Sequence, residues 1–216
     1  MRIFLTFILA IITLACNELN GSDISNEKTE VEILNGEKEL DIHIFSGGSF
    51  FKNKEADRLN SKGVDYIKKN KYKEAEKYFI AAYRLEPENP TILNNLGNIY
   101  REIGTEKMAL EYYTEALIAS DSTYFNAAYN MGISYCNIEE YEKSEKILNY
   151  IISNTSIENE KTFAEYVLIR VYVSQQQCKK ATELYTKIKS ELDKFPQFRA
   201  NRENLEIKLE NCIQIK

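Results

Sequence analysis

At 216 residues the chain is long enough for one or two domains with a sizeable core, and its 44% hydrophobic content is ordinary for a folded protein. A formal net charge of -5 argues against a partner gripped by its nucleic-acid phosphates. With 3 Pro and 8 Gly against 15 Tyr, the composition favours long helices with aromatic packing over a loop-rich β-fold.

The chain begins with Met1-Arg2, then an uncharged and mostly apolar run from Ile3 to Leu14. Such a run is too short to span a bilayer as a stable helix and suits the hydrophobic region of a signal peptide, here residues 1–15. "TLAC", with small Ala15 directly before Cys16, resembles a bacterial lipobox. The usual Leu three places before the cysteine is Thr13 here, with Leu14 one place later. The resemblance implies cleavage before Cys16, a lipid on Cys16, and a mature protein anchored in the cell envelope, on the periplasmic face or at the cell surface. A plain secretory signal and an uncleaved anchor are the alternatives.

Residues 16–52 are polar and interrupted, and their first half reads as a tether. Val31 and Ile33 alternate, Asn35-Gly36 follows, and Leu40, Ile42 and Ile44 alternate again, which is a hairpin pattern. Gly47-Gly48 reads as a hinge.

From residue 53 to 216 the texture changes. Gly63 and Gly97, Tyr66 and Tyr100, Ala75 and Ala109, Phe79 and Tyr113, and Ala82 and Ala116 are all 34 positions apart. A fixed period of this length signals stacked helix–turn–helix units. The units run over about 56–89, 90–123, 125–158 and 162–195. The third keeps Gly132 and Tyr135, and has Ser144, Leu148 and Ile151 at the later places. The fourth keeps Tyr172, Ala181 and Tyr185 but has Ile169 where glycine is expected. Within unit two, Leu93, Leu96, Tyr100 and Ile103 form one helical stripe. Asn89 is placed to cap that helix, Pro90 to open it and Gly104 to end it, and Thr105 to cap the next. Glycine inside a helix costs about 1 kcal/mol against alanine, so Gly63, Gly97 and Gly132 imply close approach of a paired helix, with Ala75 and Ala109 as the complementary small residues. A ninth helix over about 197–213, with Phe198, Leu205, Leu209 and Ile213 on its apolar side, would cap the last unit.

These residues resemble the tetratricopeptide repeat (TPR) family over about 56–195, although Leu59, Leu93, Ala128 and Glu165 stand where the family usually has Trp. The resemblance implies an all-α, right-handed solenoid whose first helices line a concave groove. It also explains an oddity in "ILNNLGNIY". Asparagine is a mediocre helix former, yet Asn94, Asn95 and Asn98 lie roughly opposite the side bearing Leu93, Leu96, Gly97 and Tyr100. In a TPR stack that side is the groove lining. The corresponding places hold Asn60 in unit one, Asn126, Tyr129 and Asn130 in unit three, and Phe163, Tyr166 and Arg170 in unit four. Amides both donate and accept, so they can hold the backbone of an extended peptide, and the aromatics supply an anchor. The alternative is a merely solvated face. Some family members grip a C-terminal carboxylate with cations that flank asparagines. At those places this chain has Asn60, Val64, Asn95, Asn126 and Asn130, so that specificity does not carry over.

His43 is the only histidine, and there is no Gly-rich phosphate loop, which leaves little material for a metal site, a nucleophilic triad or a nucleotide cofactor. Carboxylates interleave with lysines as on a solvated helix face. No catalytic residue, cofactor or metal is therefore expected. Export allows disulfides, and if the capping helix runs antiparallel to the second helix of unit four, Cys212 returns to the turn that holds Cys178. A Cys178–Cys212 bridge and two free thiols are both open, and Cys136 reads as unpaired. The leading function is a non-enzymatic envelope adaptor with a protein or peptide partner in the groove. The alternatives are a self-associating structural protein, with Phe45, Phe50 and Phe51 filling a groove, and a surface lipoprotein with an external partner.

Overall fold

The computed structural model describes residues 51–121, 123–196 and 199–214. The signal peptide, Cys16, the hairpin pattern, Gly47-Gly48, His43, Phe45, Phe50 and Phe198 lie outside the described residues. Among those described, the chain is all-α and contains nine helices. They are α1 (Lys54–Ile67), α2 (Tyr72–Leu85), α3 (Pro90–Glu102), α4 (Glu106–Ala119), α5 (Phe125–Asn137), α6 (Tyr141–Asn154), α7 (Glu158–Ser174), α8 (Cys178–Leu192) and α9 (Arg199–Gln214). None of them is long and apolar enough to cross a membrane.

The helices pair as α1–α2, α3–α4, α5–α6 and α7–α8, and each pair packs on the next through α2–α3, α4–α5 and α6–α7. Among the first helices, α3 also touches α5, and α5 touches α7, while no two second helices pack to that extent. The first helices therefore form the tighter, inner layer, whose free face is the concave one. The terminal helix α9 rests on α7 and α8.

Close packing within each pair begins at the glycines. A Cβ built on Gly63 would stand 2.4 Å from the Phe79 ring, and one on Gly97 would stand 2.5 Å from the Tyr113 ring. Phe79 and Tyr113 are completely buried, and each such side chain is worth on the order of 2 kcal/mol in water removed. The residue that fills the glycine gap is thus the aromatic one, rather than the alanine the spacing suggested. In unit three Leu148 takes the aromatic's place over Gly132, at 2.8 Å from the same imaginary Cβ. There the small-residue place is Ser144, whose hydroxyl donates to the Gly132 carbonyl at 2.7 Å.

The turn inside each pair has one design. The N–H of Lys71, Thr105, Glu140 and Gln177 donates to the carbonyl of Tyr66, Tyr100, Tyr135 and Tyr172, respectively, at 2.8 to 3.0 Å. This is the 6→1 bond of a Schellman ending, with a left-handed residue just before the donor. That residue is Gly104 in unit two, with φ 81°, but Asn70, Glu139 and Gln176 in the others, with φ of 55°, 65° and 56°. As expected, Asn89 caps α3, accepting from the N–H of Thr91 and Ile92, and Pro90 opens the helix. Thr105 differs: it stands at the N-cap of α4, but its hydroxyl donates backward to the Tyr100 carbonyl at 2.8 Å and gives the new helix no bond.

Unit four and the helix after it each depart from the expected pattern. The first helix of unit four begins at Glu158, one turn before the residue expected from the repeat. Glu158 and Glu160 suit the positive end of the helix, and Thr155 braces the entry, accepting from the Ile157 N–H and donating to Glu160. The α9 face that is buried consists of Leu205, Leu209 and Cys212. Ile213, expected on that side, is 54% exposed, because the disulfide turns Cys212 inward in its place.

Candidate functional site

The inner face carries the asparagines, but it turns them toward neighbours more than toward solvent. Asn95 on α3 donates to Asn60 on α1 at 2.8 Å. Asn130 on α5 donates to Asn94 on α3 at 2.9 Å and accepts from Arg101 at 2.9 Å. Tyr113, on the paired helix α4, donates to Asn98 at 2.8 Å. Asn60, Asn94 and Asn130 are consequently buried. Placing all three α3 asparagines on one open face is therefore corrected. The cause is geometric: Asn94 and Asn95 sit about 100° apart on the helix, so one reaches forward to the next repeat and the other back to the previous one, while Asn98 reaches its paired helix. The amides stitch successive repeats together, and a satisfied amide retains only part of its bonding capacity for a ligand.

What remains open is a depression of about 370 Å³ on units one and two. Val64, Ile67 and Phe79 give it an apolar floor, and Asn95, Asn98 and Arg101 give it a polar rim. Arg101 and Ile67 were missed as site residues, although they stand 34 places apart and the repeat alignment relates them directly. A larger depression of about 530 Å³ lies between the ends of α2 and α4, lined by Tyr83, Leu93, Glu115 and Ile118, with none of the inner-face asparagines.

Farther along, the inner face becomes aromatic. Phe125 stacks on Tyr129 at 5.6 Å between ring centres, Tyr129 meets Phe163 at 6.5 Å, and Phe163 meets Phe195 edge-on at 4.9 Å. Asn126 is exposed beside this row. Burial pushes the Tyr129 hydroxyl up to about 12, with Arg170 and Arg101 pulling the other way. Tyr166 is buried and donates to the Asn201 carbonyl at 3.3 Å. The far end of the row is thus covered by the chain's own C-terminal segment, through Phe195 and Asn201, a contact that sequence spacing alone gave no sign of.

That segment is firmly held. Cys178 and Cys212 are joined, with Cα atoms 5.6 Å apart, tying the start of α8 to the end of α9. Tyr185 donates to Glu206, Lys189 pairs with Glu206 at 3.0 Å, and Arg202 pairs with Asp193. Burial, then the bond to Glu206, raises Tyr185 above its ordinary range. Cys136 is a free, buried thiol, and burial raises it too. Among the described residues no cluster of His, Cys, Asp and Glu is arranged to hold a metal ion.

The profile described as a tetratricopeptide repeat matches residues 56–89 and 90–118. No curated protein matches the chain. Many solved structures do. A tetratricopeptide repeat protein from Parabacteroides merdae is 28% identical over 74% of this chain and 62% of its own, with a TM-score of 0.54. The Sgt2 TPR domain from Aspergillus fumigatus is 20% identical over 59% of this chain and 83% of its own, with a TM-score of 0.52. The first TPR of Spaghetti (RPAP3), solved bound to the HSP90 peptide SRMEEVD, is 21% identical over 58% of this chain and 98% of its own, with a TM-score of 0.52. This chain therefore carries tetratricopeptide repeats and has the all-α TPR fold, one that typically serves protein–protein interaction without catalysis.

Proposed function

We propose that the protein is a non-enzymatic adaptor of the bacterial cell envelope. It is held to a membrane by a lipid on Cys16, and it binds an extended segment of a partner protein along the inner face of its solenoid. The observation that carries the binding reading is the make-up of that face. Units one and two carry a polar-rimmed, apolar-floored depression, and units three and four carry the exposed Asn126 and the Tyr129–Phe163 row. Extended peptides suit such a surface, since amides bond main chain and apolar recesses take alternate side chains. The envelope reading rests on the Ile3–Leu14 run and the "TLAC" stretch.

Photo-crosslinking tests the first part. A photoreactive residue at Asn126, on the inner face, should capture a discrete partner in cells, while one at Lys77, exposed on α2, should not. Equal capture from both, or none from Asn126, would remove the groove as the working surface. Metabolic labelling with a fatty-acid analogue tests the second. Label should appear on the wild-type protein and vanish in Cys16→Ser, and an unlabelled wild type would end the lipoprotein reading.

A further inference from the structure

In a chain whose net charge is -5, the inner face near Tyr129 holds Arg170, a half-buried cation with no carboxylate among the described residues within ion-pair distance. The helix that carries Tyr129, α5, has no charged residue along its length. The charged side chains that bear on the Tyr129 hydroxyl are Arg170 and Arg101, those that bear on the Cys136 thiol are Arg170 and Lys208, and the one that bears on Tyr166 is Arg170. Among the described residues no carboxylate acts on any of the three. Tyrosines elsewhere are surrounded differently: Glu76 bears on Tyr100, Glu145 on Tyr172, and Glu206 on Tyr185. The carboxylates of α7 nearest in sequence are already engaged, Glu165 with Lys187 at 2.7 Å and Glu160 with Thr155 at 2.7 Å.

Arg170 itself is half-buried, one turn beyond Tyr166 and two beyond Phe163 on α7. Among the described residues no carboxylate stands within ion-pair distance of Arg170 or Lys208. Arg101 is better satisfied, by Asn130, and it has a long 3.8 Å pair with Glu102. A half-buried guanidinium without a counter-charge is costly. Its planar fork matches a carboxylate, and the bond is stronger where water is partly excluded.

We infer that this stretch is an anion subsite: Arg170, with Arg101 on α3 and Lys208 on α9, takes an aspartate or glutamate side chain of an extended peptide partner. The inference rests on the groove reading above and adds the partner's chemistry. The preferred segment is acidic, with an apolar or aromatic side chain beside the acidic one to meet Tyr129 and Phe163.

An array of C-terminally amidated peptides tests it, each with one phenylalanine in a neutral background and net charge stepped from acidic to basic. It is probed with the full-length protein and with Arg170→Gln, Arg170→Lys and Arg84→Gln, the last an exposed arginine on α2. The wild type should bind acidic peptides at least about tenfold more tightly than neutral ones. Arg170→Gln should lose most of that preference at unchanged helicity, Arg170→Lys should keep part of it, and Arg84→Gln all of it. If the wild type binds neutral and acidic peptides alike, or Arg170→Gln keeps the preference, the subsite is wrong while the groove reading stands. If it binds none of them, both are wrong.

Discussion

In the first repeat the Phe79 ring fills the space above Gly63, and in the second Tyr113 fills the space above Gly97. The fourth has Ile169 at the glycine place, completely buried, and its second helix is held from outside by α9, through a disulfide, the Tyr185–Glu206 bond and the Arg202–Asp193 pair. The early repeats close by shape, with small residues opposite large ones in a pattern that recurs every 34 residues. The last closes by bonds between particular partners that no neighbouring repeat shares. Packing of the first kind repeats because each repeat meets another like itself. The end of a solenoid has no such neighbour, so it needs a separate solution.

Five substitutions test this contrast. The largest effect is expected for Cys212→Ser. A loop of 34 residues loses about 3 to 4 kcal/mol of stabilisation when its cross-link is removed. Because the bridge joins only α8 and α9, amide exchange should quicken there and remain slow in α1–α4. Uniform acceleration would show that the end is not a separate unit. Next comes Gly97→Ala, which drives a methyl group into the Tyr113 ring and should cost about 1 to 3 kcal/mol in urea unfolding. Gly132→Ala should cost less, because the flexible end of Leu148 can yield where a ring cannot.

Asn130→Ala is expected to be smaller again, about 1 to 2 kcal/mol, because it strips partners from Asn94 and Arg101 in a buried spot. A neutral result would mean that the amides do not couple repeats. Smallest is the effect of pH through Glu160, a buried carboxyl whose Oε1 has no partner. Burial raises it above the usual carboxylate range, and the bond from Thr155 offsets this in part. A raised carboxyl binds its proton more readily in the folded state. Its contribution is therefore full below the ordinary carboxylate pKa and is lost as pH rises through the higher folded value. Glu160→Gln should flatten that decline in a series of urea midpoints measured from mildly acidic to neutral pH.

The helix pairs were legible in the sequence because a period is local information. Gly63 and Gly97, the cap at Asn89 and the ending at Gly104 can each be read from a short window. The direction each asparagine faces was not legible. Helical spacing gives the angle between Asn94 and Asn95, but it does not say that Asn130, 36 residues away, arrives beside the first. Arg170 was picked out for standing at a groove place, yet its character comes from having no carboxylate among the described residues within ion-pair distance, which only the packed structure displays. The covering of Phe163 by Phe195 was hidden for a similar reason, since the segment after α8 lies outside the repeat and follows no period.

The four Schellman turns also measure how much stability the chain has left unused. Three of them place Asn70, Glu139 and Gln176 in a backbone conformation that costs an ordinary L-residue about 1 to 2 kcal/mol, least for asparagine. Only Gly104 meets the requirement without that penalty. Asn70, Glu139 and Gln176 are all exposed, so burial within the fold does not repay the difference. Selection has evidently held this solenoid above a threshold rather than at an optimum, and the headroom lies in its backbone, at Glu139 and Gln176, where glycine would alter no surface the protein is proposed to use, whereas Asn70 lines the depression over units one and two.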